Sequence, residues 1–282
     1  IVEKESRDAL EDADVIAFPG AEGAGKFTKG GRGGDVYHVT TLKDSGPGSF
    51  RLGIESIKGP RTIVFDISGM IRLKKDIKIE DESYLTIAGQ TAPGKGITFA
   101  DRNLRIENCS HIIARYFRLR LGDENKPDGT TLDCVTVNHS DHIILDHLSL
   151  SWGIDGNGDF RDLKYTTLQW LIFSEGLHNS LHNKEGGHAM CSSFRDSEGF
   201  ATLHHNIYAS SRNRHPSTAG GSQVMEFANN LNYNWSGCHN LSGEQYNLIN
   251  NYYKAGPMKG DRLPIRYKSK DLKPVSHGYF SG

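Results

Sequence analysis

From Arg61 onward the chain is a succession of short apolar runs, each of strand length, with no helical period between them. Arg61-Thr62-Ile63-Val64-Phe65, Tyr84-Leu85-Thr86-Ile87, Ile97-Thr98-Phe99 and Leu104-Arg105-Ile106 come first, and His111 to Leu121 and His142 to Leu150 continue the series. The later runs share one form: a strand, a polar pair, then a second strand. Ile144-Leu145-Asp146-His147-Leu148-Ser149-Leu150 has counterparts in Leu168-Gln169-Trp170-Leu171-Ile172 and Leu203-His204-His205-Asn206-Ile207-Tyr208. Two more follow, Phe227-Ala228-Asn229-Asn230-Leu231 and Leu248-Ile249-Asn250-Asn251-Tyr252. The pairs recur at about 23, 36, 24 and 21 residues. A repeat in the low twenties, built from strands and bends, is the signature of a β-solenoid whose coils stack on one another. Asparagine suits the bends, because it tolerates left-handed backbone and can hydrogen-bond along the stack. A β-sandwich has similar strand spacing but no reason to repeat one polar pair at every bend. The pattern predicts an all-β, single-domain solenoid over residues 15–271, with 1–14 a flexible tail and 272–282 a C-terminal tail or linker. The one long interval, Trp170 to Asn206, predicts an insertion of about a dozen residues on one face, where solenoids often bind ligands.

The stretch GAEGAGKF at residues 20–27 meets seven of the eight positions of a P-loop. The eighth fails: Phe27 stands where a hydroxyl would ligate magnesium. The glycines of Gly30-Gly31-Arg32-Gly33-Gly34 also lose too much backbone entropy for the helix that must follow. The stretch is expected to be a glycine-rich turn leading to a strand at Val36-Tyr37-His38-Val39, with no nucleotide bound.

Composition narrows the partners. Among 282 residues, 33 Lys plus Arg against 34 Asp plus Glu leave a net charge of −1, so no global field draws the chain to nucleic acid or an anionic membrane. No apolar run approaches the length of a membrane span. A polar, acidic stretch from Glu3 to Asp14, after Ile1 rather than Met, fits a secreted chain that has lost its signal peptide. A monomer is expected. Cys109, Cys134, Cys191 and Cys238 have neither paired nor metal-knuckle spacing, which fits buried thiols and also allows one or two disulfides.

Chemistry-bearing residues concentrate in the insertion and the bend after it. His178, His182, Lys184 and His188 lie in the first; Arg212, Arg214 and His215 follow His204-His205-Asn206. The cationic groups of Arg212-Asn213-Arg214-His215-Pro216 ask for an anion. Carboxylates form the other pole: Asp123, Glu124, Asp128 and Asp133 come one coil before Asp155, Asp159 and Asp162. Coils stack about 5 Å apart, which brings Asp133 near Asp155. Carboxylates on successive rungs suit a hard cation such as Ca2+. A carboxylate pair for glycoside hydrolysis is the alternative, and spacing alone does not separate the two. The neighbouring arginines point to an acidic polymer as ligand.

GGRGGDVYHVTTLKDSGPGSFRLGIES, GPRTIVFDISGMI, LTIAGQTAPGKGITF, IIARYFRLRLGD, IILDHLSLSW and LHHNIYASSRNRHP occur in that order. From about Phe18 to Pro257 the chain thereby resembles the secreted pectate lyases of polysaccharide lyase family 1. The resemblance implies a right-handed parallel β-helix, with the glycine-rich stretch at its start and cap, and calcium-assisted β-elimination on polygalacturonate. It implies Arg214, two residues before Pro216, as the base; a second arginine of the pattern is replaced by Ala219, and Arg212 could serve instead. The pattern's lysine aligns with His188, and Lys184 lies four positions earlier. Either could bind the substrate carboxylate, and a neutral His188 is also a reasonable proton acceptor. Asp133 stands thirteen residues before Asp146, as the calcium pattern requires. The next expected Asp is Trp152, which leaves Asp155 as partner and Asn157 and Asp159 as support. Trp152 could stack on a sugar, and His182 and His215 complete the expected substrate-binding set. The rival readings are a lyase for esterified pectin or another uronate polymer, a β-helical hydrolase, and a non-catalytic pectin-binding β-helix.

Overall fold

A computed structural model describes residues 15–124, 126–185, 187–221, 224–241, 245–267 and 278–281; the expected tail at 1–14 lies outside them. Among the described residues the strands form two sheets, one of sixteen and one of eight, paired in parallel. Each coil crosses the larger sheet, bends, and crosses the smaller one. Strand Gly156–Gln169 is followed by Ile172–Ser174; strands Met190–Ser197 and Phe200–His204 are followed by Ile207–Ala209. Leu145, Leu168, Leu203, Phe227 and Leu248 lie in register on successive coils and fill the interior. These are the runs whose repeat the sequence displays, and the solenoid expectation holds.

The bends work as the sequence suggests. His147, Trp170, His205, Asn229 and Asn250 each take a left-handed conformation, with φ between 51° and 56°. The residue after the last three is an inward asparagine, and these form a ladder. Asn206 Oδ1 accepts the Leu171 N–H at 2.8 Å, Asn230 Oδ1 that of Asn206 at 2.9 Å, and Asn251 Oδ1 that of Asn230 at 2.9 Å. Their amide groups donate to the carbonyls of Leu168, Leu203 and Phe227. Backbone groups that a bend leaves unpaired are thus satisfied in the interior.

Phe50 and Ile54, from the short helical turn Leu52–Ser56 and the residues before it, cover the first coils, with the Phe50 and Phe99 rings 4.4 Å apart. The fully buried Arg61 fastens this cap, donating to the Gly53, Ile54 and Gly59 carbonyls and to Glu82. The glycine-rich stretch is not part of the cap, which corrects the expectation. It is a strap along the outside of the larger sheet. Gly25 N–H donates to Thr167 Oγ1 at 2.8 Å and Gly31 N–H to Thr86 Oγ1 at 2.9 Å. A Cβ on Gly31 would stand 1.9 Å from the Arg61 carbonyl oxygen, and one on Gly25 would stand 2.7 Å from that of Ile143. Only a chain without side chains lies so flat against strands, which is why these glycines resemble a P-loop without being one.

Of the expected C-terminal tail, residues 272–277 and 282 lie outside the described residues, and Gly278–Ser281 is a strand paired with Tyr246–Ile249. All four cysteines are buried free thiols. Among the described residues, no helix is long and apolar enough to cross a membrane.

Candidate active site

The candidate residues gather where successive coils turn from the smaller sheet back into the larger one. Asp133, Asp155, His188 and Arg214 each lie within three residues before the strands beginning at Val135, Gly156, Met190 and Ser217. A column of fully buried side chains runs behind them: Cys134, Asn157, Cys191, His215 and Cys238. Beside the buried Cys134 and His215, Asp133 and Arg214 are half-buried and remain on the groove side of the column. Arg214 takes the left-handed conformation that recurs at the bends of this chain, at φ +63°.

Asp133 is the electrostatic centre. Desolvation pushes its carboxyl well above the usual range, and the nearby charges of Asp155 and Asp159 push it further; Arg214 and Arg195 act in the opposite sense. These four charges are near enough to act on Asp133. The carboxylate rests over Gly156, where a Cβ would come within 2.7 Å of Asp133 Oδ1. Neither Gly156 nor Arg195 was singled out from the sequence; a glycine at the start of a strand, one coil beyond the key carboxylate, was the available signal.

Asp155 is held by histidines. His188 Nε2 stands against its carboxylate, and His182 Nε2 lies 3.9 Å from it. The two imidazoles stack at 4.0 Å and within 7° of parallel. The Lys184 N–H donates to His182 Nδ1 at 3.0 Å, so a neutral His182 carries its hydrogen on Nε2, facing Asp155. Donor atoms of Asp155, His182 and His188 fall within 4.8 Å of one another, a grouping a metal could use. The His182 tautomer, with its hydrogen on Nε2, makes it instead a pair of imidazoles gathered around one carboxylate.

Four expectations change. His188 is only 4% exposed, and burial lowers its pKa while Asp155 raises it. Closed off from solvent, it orients Asp155 rather than meeting a substrate. His215 is fully buried, its Nδ1 and Nε2 facing the carbonyls of Tyr208 at 3.2 Å and Ser211 at 2.8 Å, so it cannot bind substrate. Asn157 is no metal ligand: it is fully buried, accepting the Gly153 N–H and donating to the Ser174 carbonyl and Ser211 Oγ. Asp159 is engaged by Arg195 at 2.8 and 2.9 Å and by Ser193, which neutralises it as a ligand. Arg212 donates to the Gly187 carbonyl at 2.8 Å and lines a cleft of about 330 Å³ with His178 and Lys259. Lys184 is exposed on the rim, near enough for its charge to act on His188. Trp152 is 42% exposed, with Nε1 donating to Glu175 at 3.1 Å.

No protein-family model matches the chain. Over 253 residues it is 36% identical to proteins named probable pectate lyase C from Aspergillus fumigatus and Neosartorya fischeri, covering 86% of this chain and 55% of each relative. Over 172 residues it is 30% identical to pectate lyase 5 of Ambrosia artemisiifolia, covering 56% of this chain and 41% of that one. The chain thus spans about half the length of the curated relatives it matches. Among solved structures, pectate lyase Bsp165PelA from Bacillus sp. N165, in complex with trigalacturonate, aligns with a TM-score of 0.61 at 17% identity, over 93% of this chain and 85% of that one. Jun a 1, the major allergen from cedar pollen, aligns with a TM-score of 0.57 at 15% identity, over 90% and 88%. The fold is the right-handed parallel β-helix of these neighbours.

Proposed function

We propose that this relative of the pectate lyases is a secreted, monomeric enzyme that cleaves polygalacturonate by calcium-assisted β-elimination. The observation that supports the reading is that Asp133, Asp155 and Arg214 each stand at the start of a coil, the first two on adjacent coils and Arg214 two coils beyond Asp155. In the reaction the C5 proton of a uronate is removed, the C4–O glycosidic bond breaks, a C4=C5 double bond forms, and the departing oxygen gains a proton. A carboxylate raised by burial and by its acidic neighbours, as Asp133 is, fits a hard cation. Asp133 and Asp155 would hold calcium, with substrate carboxylates completing a ligand set to which Asn157 and Asp159 do not contribute. When bound there, calcium would draw charge from the uronate carboxylate and acidify the adjacent C–H.

Arg214 takes the proton acceptor's place that the resemblance gives it. A guanidinium beside a bare carboxylate is held charged, so the charge of Asp133 must be masked for Arg214 to act. Lys184, exposed on the rim, is the cation for a substrate carboxylate, and His182 and His188 act through Asp155. The raised Asp133 also favours one rival, a hydrolase with Asp133 as general acid.

Incubation with de-esterified polygalacturonate separates these readings. An ultraviolet rise from unsaturated products, abolished by chelator and restored by calcium, is expected. Arg214→Ala should lower the rate by about 10²–10⁴ with an unchanged unfolding midpoint. Saturated products would identify the hydrolase; full activity in Arg214→Ala would remove the catalytic assignment.

A further inference from the structure

Trp152 lies three residues before Asp155 but faces a separate cleft of about 320 Å³, a volume suited to a small ligand. Elsewhere, exposed aromatic residues at the bends cover one another. Trp170 is sandwiched between His147 at 6.0 Å and His205 at 4.3 Å, and Tyr116 stacks on His147 at 4.3 Å. Among the described residues, no aromatic ring of the preceding coil covers Trp152; Arg120 stands over it at 5.7 Å from the indole centre. Arg120 pairs with Ser151, but Leu121 after it turns inward and is buried. Gly122 donates its N–H to the Trp152 carbonyl at 3.0 Å, and a Cβ there would meet nothing within 4 Å. The indole is fixed from its other edge by Glu175.

The charges around the cleft are committed unequally. Arg72 donates to both oxygens of Asp101 at 3.1 Å. Arg120, its guanidinium carbon 5.7 Å from the indole centre, donates to Ser149 O, Ser149 Oγ and Leu119 O. Lys126, behind the cleft, is turned to the Leu121 and Gly122 carbonyls. Among the described residues, no ion pair engages Asp123 or Glu124, and both line the cleft. A uronate carboxylate here would meet the carboxylates of Asp123 and Glu124, while Arg120 and Lys126 are turned to backbone carbonyls and Ser149 and away from a ligand on the indole. An uncharged pyranose would place its C–H face on the negative π face of the indole and give its hydroxyl hydrogens to the carboxylates.

We propose that the Trp152 cleft binds an uncharged pyranose, so that this β-helix carries, beside its cluster of opposite charges, a second site that selects neutral sugar units. Such units occur as methyl-esterified uronate or as neutral hexose, and the site itself does not depend on the lyase reading.

Calorimetric titration of the intact chain tests this with three probes: fully methyl-esterified trigalacturonide, β-1,4-galactotriose and unesterified trigalacturonate. Binding of either uncharged probe is expected, weakened at least tenfold by Trp152→Ala and largely retained by Trp152→Phe. Preference for the first probe identifies esterified backbone as the source; preference for the second identifies neutral branches. Asp123→Lys with Glu124→Lys, which leaves the indole in place, should reduce that binding and admit a unesterified uronate. Absence of binding by both uncharged probes at millimolar concentration, or equal affinity in Trp152→Ala, overturns the proposal. The absorbance assay, run in parallel, keeps its failure distinct from failure of the lyase reading.

Discussion

Gly156 shows how narrowly the site is set. A methyl group there would stand 2.7 Å from Asp133 Oδ1 and 3.5 Å from Met190 Cβ, so the substitution falls on the carboxylate rather than on the core. Gly156→Ala is therefore expected to raise the calcium concentration for half-maximal activity by about 10–100-fold, the usual effect of disturbing a group that positions a metal ligand. The unfolding midpoint should move little, and a calcium titration of initial rates beside a thermal melt reads both. An unchanged calcium requirement would mean that Asp133 is not a ligand. Asp133 and Arg214 were legible in the sequence because their spacing to Asp146 and Pro216 is part of a longer motif. Asn157 and His215 were not, for a specific reason. Each sits beside a residue that faces the groove, and at a bend the period-two alternation is interrupted, so the residue types alone do not say which neighbour points inward.

The bends and the strap separate what a repeat reveals from what it hides. The recurring asparagines at Asn206, Asn230 and Asn251 suggested a ladder, and it is present because each carries both a donor and an acceptor toward the next coil. Asn230→Ala removes the acceptor for the Asn206 N–H and the donor to the Leu203 carbonyl, leaving two buried backbone groups unpaired. A loss of about 2–4 kcal/mol is expected, read as a lower urea midpoint with unchanged slope. A loss below 0.5 kcal/mol, within the range of ordinary surface changes, would show that water replaces the ladder. The strap carries no repeat. Gly25 binds Thr167 across 142 residues, and nothing local in the sequence links a glycine to a strand so distant, so only the family resemblance placed the stretch, at the start and cap of the helix.

Across the whole molecule, buried histidines set the response to acid. His215 and His239 are fully buried and held neutral, desolvation pushing them down to about 4 and about 3. In the unfolded chain each titrates near 6.5. Between those values the unfolded chain binds protons that the folded one excludes, so stability is lost as pH falls below 6.5. The loss is about 1.4 kcal/mol per pH unit per histidine, or about 4 kcal/mol for the pair at pH 5, a large part of a typical domain's stability. Asp133 works in the opposite sense. Its folded pKa is raised, so above about 3.8 the fold keeps a proton that the unfolded chain has released, and stability from this group falls as pH rises. Urea titrations from pH 5 to pH 8 should show a steep acid limb. His215→Gln should reduce that limb, since a primary amide can donate to both the Tyr208 and Ser211 carbonyls without titrating, whereas a neutral imidazole donates to only one. Calcium should raise the midpoint more at high pH than at low pH, because the raised Asp133 carboxyl takes up a proton in competition with the cation as pH falls. An acid limb unchanged in His215→Gln would mean that protonation of this buried column is not what unfolds the coils.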